Sequence, residues 1–176
     1  MIHDHDRSGW IGASDTSKVM GRWDTETFRK WWSVKLGIRQ ETFTTPAMQA
    51  GTAYEGKILD ALGIRTRDRQ VRIHGLRLRV NYDGEDARLI TEVKTHSKPE
   101  FRVSKAYWQQ CQVEMLASGW GLRRRKECRI AAYRMTEAEI LDIAGPTDDK
   151  SNTGIIDRDD GIQEICWFYN TSGSTE

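Results

Sequence analysis

Three charged residues stand where a strand should be apolar. In VNYDGEDARLITEVKT, residues 80–95, Asp83 precedes a glycine and Glu92 and Lys94 sit inside an otherwise good strand. Charged residues are poor strand formers, and an unpaired buried charge costs several kcal/mol, so this face is either wet or chemical. Period-2 alternation puts Leu89, Thr91, Val93 and Thr95 on one side and Ile90, Glu92, Lys94 and His96 on the other, which leaves Glu92 and Lys94 about 6–7 Å apart along the strand. An Asp-Gly turn at Asp83-Gly84 would fold Asp83 back to the same side. Two carboxylates beside an ammonium form a hard-oxygen site that suits Mg²⁺ or Mn²⁺ rather than zinc. A plain surface salt bridge from Glu92 to Lys94, of little energetic value, produces the same spacing. Asp-x8-Glu-x-Lys alone fits both readings.

The elements that must position these residues are readable. GASDTSKVMG reads as a turn and short helix capped at Ser14 or Asp15 and ending at Gly21. DTETFRKWWSVKLG predicts a helix to Gly37, and TTPAMQAGTAYEGKILDALG one that starts with Pro46 in its first turn and stops at Gly63. Strands are predicted at 70–74, 76–82 and 88–95, a helix at 104–119, a strand at 128–135, a helix at 136–144 and a strand at 162–170. This order argues for one α/β (α+β) layer structure, a mixed central sheet flanked by helices, occupying residues 1–170 with a disordered tail at 171–176. On 107–115, Tyr107, Gln110 and Glu114 share one helix face, and Trp108, Cys111 and Met115 form an adjacent apolar stripe that reads as core. Trp31 and Trp32 are adjacent on a helix and cannot both face one core. One of them could stack on bases, although packing or a subunit contact explains it equally.

The chain has 176 residues with a net charge of only +1, unevenly placed. Residues 64–80 hold six arginines against one aspartate, GLRRRKECR adds a second basic cluster, and MTEAEILDIAGPTDD is acidic. Such polarity suits a polyanion held on one side, and it also suits ordinary solvated surfaces. Cys111, Cys128 and Cys166 are far apart in sequence, which excludes a disulfide framework or four-cysteine metal site from this chain alone and fits a reducing cytoplasm. No run approaches the roughly 18–20 apolar residues of a membrane span, and the first ten residues lack the apolar stretch of a secretory signal.

Asp83…Glu92-Val93-Lys94 has the form of the PD-(D/E)xK nuclease signature, and the chain resembles the YqaJ-like viral recombinases, the phage lambda-exonuclease group. GASDTSKVMG with Arg7 seven positions before Ser14, AMQAGTAYE, NYDGEDARLITEVKT and YWQQCQVEMLASG match the family's blocks in order, over roughly residues 7 to 119. The hairpin departs from the family's Ser-Pro-Asp-Gly, having Asn81-Tyr82-Asp83-Gly84 instead.

The resemblance implies a restriction-endonuclease-like core and a Mg²⁺- or Mn²⁺-dependent deoxyribonuclease using two ions. Asp83, Glu92, Glu55 and the Val93 carbonyl would be ligands. Lys94 would orient or help deprotonate the attacking water, and Gln110 would position the site. Arg7, Ser14 and Asn81 would hold a DNA 5′-phosphate, with Arg77, Arg79 and Tyr107 as further DNA contacts. It also implies 5′→3′ degradation of one strand at double-stranded DNA ends in phage-type recombination. A homotrimer, a single-strand annealing partner, no membrane, and the cytoplasm of a bacterial host carrying the phage or prophage complete the expectation. A structure-specific or restriction-like endonuclease of the same core and a catalytically silent DNA-binding module are the alternatives.

Overall fold

A computed structural model describes residues 8–39, 45–121, 126–144 and 162–167. Arg7, the arginines 123–125 of the second basic cluster and the expected tail at 171–176 lie outside these residues.

A 3-10 turn at Ala13–Asp15 leads into the short α1 (Thr16–Val19), followed by α2 (Glu26–Lys35) and α3 (Pro46–Ala61). Thr25 and Thr45 cap the two longer helices by accepting from Phe28 N and Met48 N. The expected cap at Ser14 or Asp15 does not form, because Asp15 turns its carboxylate back to Gly12 N at 2.8 Å. Next come β1 (Thr66–Ile73), β2 (Leu78–Glu85), β3 (Leu89–His96), α4 (Lys105–Ser118), β4 (Glu127–Arg134), α5 (Glu137–Ala144) and β5 (Ile162–Trp167). The strands form one mixed sheet in chain order, antiparallel except for the parallel β3–β4 pair that α4 connects. A crossover helix is what a parallel pair requires. The α+β core expected from the sequence, a mixed sheet flanked by helices, is the one observed.

Alternation along the strands sorts the core into two layers. Val80, Tyr82, Ile90, Ile130 and Ala132 pack with Cys111 and Met115 of α4. Val93, Ala131 and Tyr133 pack with Ala50, Ile58 and Leu59 of α3, and Ile140 of α5 completes that side. The helices therefore cover opposite faces of β3, one meeting the Ile90 face and the other the Val93 face.

One expected turn is corrected. Asp83-Gly84 is no turn but the end of β2. The chain reverses at Asp86–Arg88, where Asp86 Oδ1 accepts from Arg88 N at 2.7 Å and Leu89 N at 2.8 Å. An aspartate that bonds its own following amides makes a turn without glycine. Gly84 is needed for space, since a Cβ there would stand 2.7 Å from Leu59 Cδ2 and 2.8 Å from Ile64 Cγ2.

Candidate active site

The β2–β3 ladder consists of two pairs, Gly84↔Thr91 and Glu85↔Ile90, and then stops. In place of the next ladder bond, Asp83 Oδ2 accepts from Val93 N at 2.8 Å. The strands fork here, and Glu55 from α3 and Gln110 from α4 line one cleft of about 320 Å³ together with Asp83, Glu92 and Lys94.

The Glu92–Lys94 pair is not a surface salt bridge. Lys94 Nζ lies 2.5 Å from Glu92 Oε1, and the Glu92 side chain is only 4% exposed. Gln110 locks the pair: its Nε2 donates to Glu92 Oε1 at 2.5 Å and to Glu114 Oε1 at 2.8 Å, while its Oε1 faces Lys94 Nζ at 3.4 Å. Tyr107 lies under the ammonium, its ring centre 5.0 Å from Nζ. Glu92 Oε2, in contrast, is buried with no hydrogen-bond partner. Buried carboxylate oxygens are almost always satisfied, so this one has room for a partner from outside the chain, a water or a cation.

The electrostatics agree. Burial, then the charges of Glu92 and Glu55, push the Asp83 carboxyl well above the usual range. Burial raises Glu55 too, followed by the charges of Asp68 and Glu92. Burial works to lower Lys94, but the charge and hydrogen bond of Glu92 outweigh it and the ammonium is held above its ordinary value. Asp83, Glu92 and Glu55 are the hard-oxygen donors that would hold a divalent cation here, although in this structure their oxygens do not converge on one point.

The other end of the cleft is cationic. Arg79, Asn81 and Asp83 follow at i, i+2 and i+4 on β2 and all line it, with Arg79 roughly 13 Å from Asp83 along the strand. Ile11 joins the start of β2 through Ile11 N to Arg77 O and Arg79 N to Ile11 O, which brings the Ser14 turn over the cleft. Ser14 is exposed and Arg79 buried. Arg77 is exposed beside Trp10, its guanidinium 5.5 Å from the ring centre, and does not line the cleft.

Several participants were missed by sequence reasoning. Lys35, at the end of α2, is buried in the cleft wall against Asp15 Oδ2 at 2.6 Å. Asp15 also accepts from Trp31 Nε1 at 2.8 Å. Burial raises this carboxyl, but the Lys35 hydrogen bond and Gly12 N overcome it and hold it low. Trp31 is thus a core residue and Trp32 the exposed one. Asp68 of β1 also lines the cleft. Beneath Gln110, Glu114 is fully buried with Cys111 and Cys128, and Cys128 Sγ donates to its Oε2 at 3.5 Å. Burial, then the Glu92 charge, push the Glu114 carboxyl well above its ordinary range. Trp108 does not join Cys111 and Met115 in the core, being 47% exposed.

This fold and cleft define a class: an α+β core whose mixed sheet forks around a carboxylate-lysine site. Among solved structures it is similar to the crystal structure of an alkaline exonuclease (LHK-Exo) from Laribacter hongkongensis, with a TM-score of 0.53 and 20% identity over 76% of this chain and 74% of that chain. The likeness is one of fold. SSO0001 is a more distant neighbour, at TM-score 0.37 and 14% identity over 82% of this chain and 76% of that one. No protein-family model and no curated protein matches the chain. Among the described residues no helix is long and apolar enough to cross a membrane.

Proposed function

We propose that this chain is a Mg²⁺- or Mn²⁺-dependent deoxyribonuclease of the lambda-exonuclease type, releasing nucleotides 5′→3′ from one strand at duplex DNA ends during phage-type recombination. The observation that carries the reading is the locked Glu92–Lys94–Gln110 cluster beside Asp83, with Glu92 Oε2 unsatisfied in a cleft that Glu55 also lines. When bound, the divalent cation would supply acidification of water and neutralisation of charge on the phosphate. Lys94, fixed between Glu92 and Gln110, keeps its proton and offers it to a phosphate oxygen or holds the attacking water in line. Gln110 is held by Glu114, so its amide oxygen stays toward Lys94 rather than toward Glu92.

The polarity of the cleft supports an end-directed activity. Lys35, Arg79, Ser14 and Asn81 would hold a terminal phosphate, and the length of β2 between Arg79 and Asp83 sets the distance from that phosphate to the scissile bond. The Lys35 ammonium has three donors and gives one to Asp15, leaving capacity for a phosphate oxygen. The fold shared with an alkaline exonuclease is in keeping with this reading.

The test is a time course on end-labelled duplexes with Mg²⁺, comparing free and blocked 5′ ends. An exonuclease releases nucleotides from free 5′ ends and stalls on blocked ones. Cutting of blocked duplexes would replace this reading with an endonuclease, and no release from any end would leave a binding module. Glu92→Gln is expected to abolish release.

A further inference from the structure

Trp32 is the exposed member of its pair, and it does not stand alone. Trp23 is 65% exposed and Trp32 42%, and Met20 and Leu36 are exposed close by in the chain. Phe28, half-buried, links the two tryptophans. Its ring centre lies 6.0 Å from that of Trp23 and 6.2 Å from that of Trp32, with interplanar angles of 21° and 14°. The three rings are thus near-parallel, and both outer ones are held. Trp23 Nε1 donates to Val19 O at 2.8 Å, and Trp32 leans on the buried Trp31 with ring centres 5.6 Å apart. An exposed apolar patch of connected side chains marks a surface that meets a partner.

The charges around the rings select the partner. Residues 16–39 hold six lysines and arginines against two carboxylates, in a chain whose net charge is only +1. Both carboxylates are tied, Asp24 to Arg22 at 2.7 Å and Glu26 to Lys30 at 3.6 Å. Helical spacing puts the Glu26–Lys30 pair on the side of α2 opposite Phe28 and Trp32, whereas the exposed Arg29, three residues before Trp32, borders them. The rings also adjoin the cleft. Trp31 is hydrogen-bonded to Asp15 of the cleft wall, and Lys35, which lines the cleft, follows Trp32 by about 4.5 Å of helix. A cationic surface with flat aromatic faces fits a polyanion that carries flat groups of its own.

We infer that Trp23, Phe28 and Trp32 form a stacking platform for the bases of single-stranded DNA, with Arg29 on its backbone. The choice of ligand rests on the DNA-directed reading above, and the platform takes the unpaired strand that degradation from an end leaves. Such stacking is indifferent to sequence, because every base has a π-face.

The probe is a fluorescein-labelled 5′-hydroxyl oligothymidylate, titrated into the full chain in EDTA so that no cleavage intervenes, with binding read by anisotropy. Trp32→Leu is expected to weaken binding about fivefold or more, and Trp32→Phe to keep most of the affinity. Leucine retains the apolar bulk, and only phenylalanine retains a π-face. Both variants should melt within about 2 °C of wild type, as surface substitutions do. Wild-type affinity in Trp32→Leu, or equal losses in the two variants, would overturn the platform. Sedimentation should not distinguish the variants from wild type. A wild-type multimer that Trp32→Leu splits would make this face a contact between copies and overturn the inference. Release from duplex ends with Mg²⁺, assayed alongside, separates the two readings. Release without any Trp32 effect on binding removes the platform alone, and a Trp32 effect without release removes the nuclease reading alone.

Discussion

Replacing Lys94 by alanine separates the site described here from an ordinary surface ion pair. An exposed pair contributes about 0–1 kcal/mol, whereas removing one partner of a buried pair costs about 3–5 kcal/mol, because the other charge is left uncompensated. The Glu92 side chain is 4% exposed and that of Lys94 20%. Partial access of water to Lys94 places the cost at the low end, about 3 kcal/mol. For a chain of this size each kcal/mol shifts the melting temperature by about 2–4 °C, so the metal-free variant should melt roughly 6–12 °C below wild type. The measurement is thermal unfolding in EDTA and again in Mn²⁺. Divalent cation should recover most of the loss, since it replaces the positive charge that Glu92 and Asp83 have lost, and the Mn²⁺-induced shift should exceed that of wild type. Nucleotide release should stay abolished in both conditions. A variant melting within about 2 °C of wild type in EDTA would refute the reasoning, because Glu92 would then have a solvated charge that needs no partner.

Three further outcomes are expected. Gly84→Ala should destabilise by about 1–3 kcal/mol and reduce release, because its Cβ would press on Leu59 and Ile64 beside Asp83; denaturant melts and end-release assays check both. Lys35→Met should weaken the preference for 5′-phosphorylated over 5′-hydroxyl ends; equal effects on both substrates would remove Lys35 from the phosphate end. The pH dependence follows from Asp15 and Glu85, both held below their ordinary values of 3.8 and 4.5. Burial opposes this in each, but the bonds from Lys35, and from Lys126 and Arg69, prevail. A depressed carboxyl stabilises the fold above its unfolded pKa and loses that contribution as pH falls through the folded value. Melting temperature should therefore drop as pH goes below about 4, and Asp15→Asn should make that drop shallower.

What the sequence revealed followed its local periodicities. The two-residue repeat of 89–96 assigned Glu92 and Lys94 to one face, and the helical repeat of 107–114 assigned Gln110 and Glu114 to another; the structure joins those faces. Asp83-Gly84 misled because the dipeptide is a strong hairpin signal, whereas here the glycine is selected by Leu59 and Ile64, far away in sequence. Lys35 in a helix pattern and Asp68 among arginines carry no local signal of a site. Only the fold places them on a shared cleft. Trp108 fell on the helical phase of Cys111 and Met115 but lies at the margin of a broad buried face that runs through Gln109, Gln110 and Glu114.

The side chain of Asp83 completes the sheet where the backbone ladder ends, accepting from Val93 N. One carboxylate is therefore a pin in the frame and, under the proposed function, a metal ligand as well. Protonation or displacement of Asp83 loosens the junction of β2 and β3, and a cation that orders Asp83 tightens it. The amide proton of Val93 thus becomes a reporter. Its exchange with solvent should slow as the cleft fills, which connects the occupancy of the site to the local opening of the sheet without any catalysis being measured.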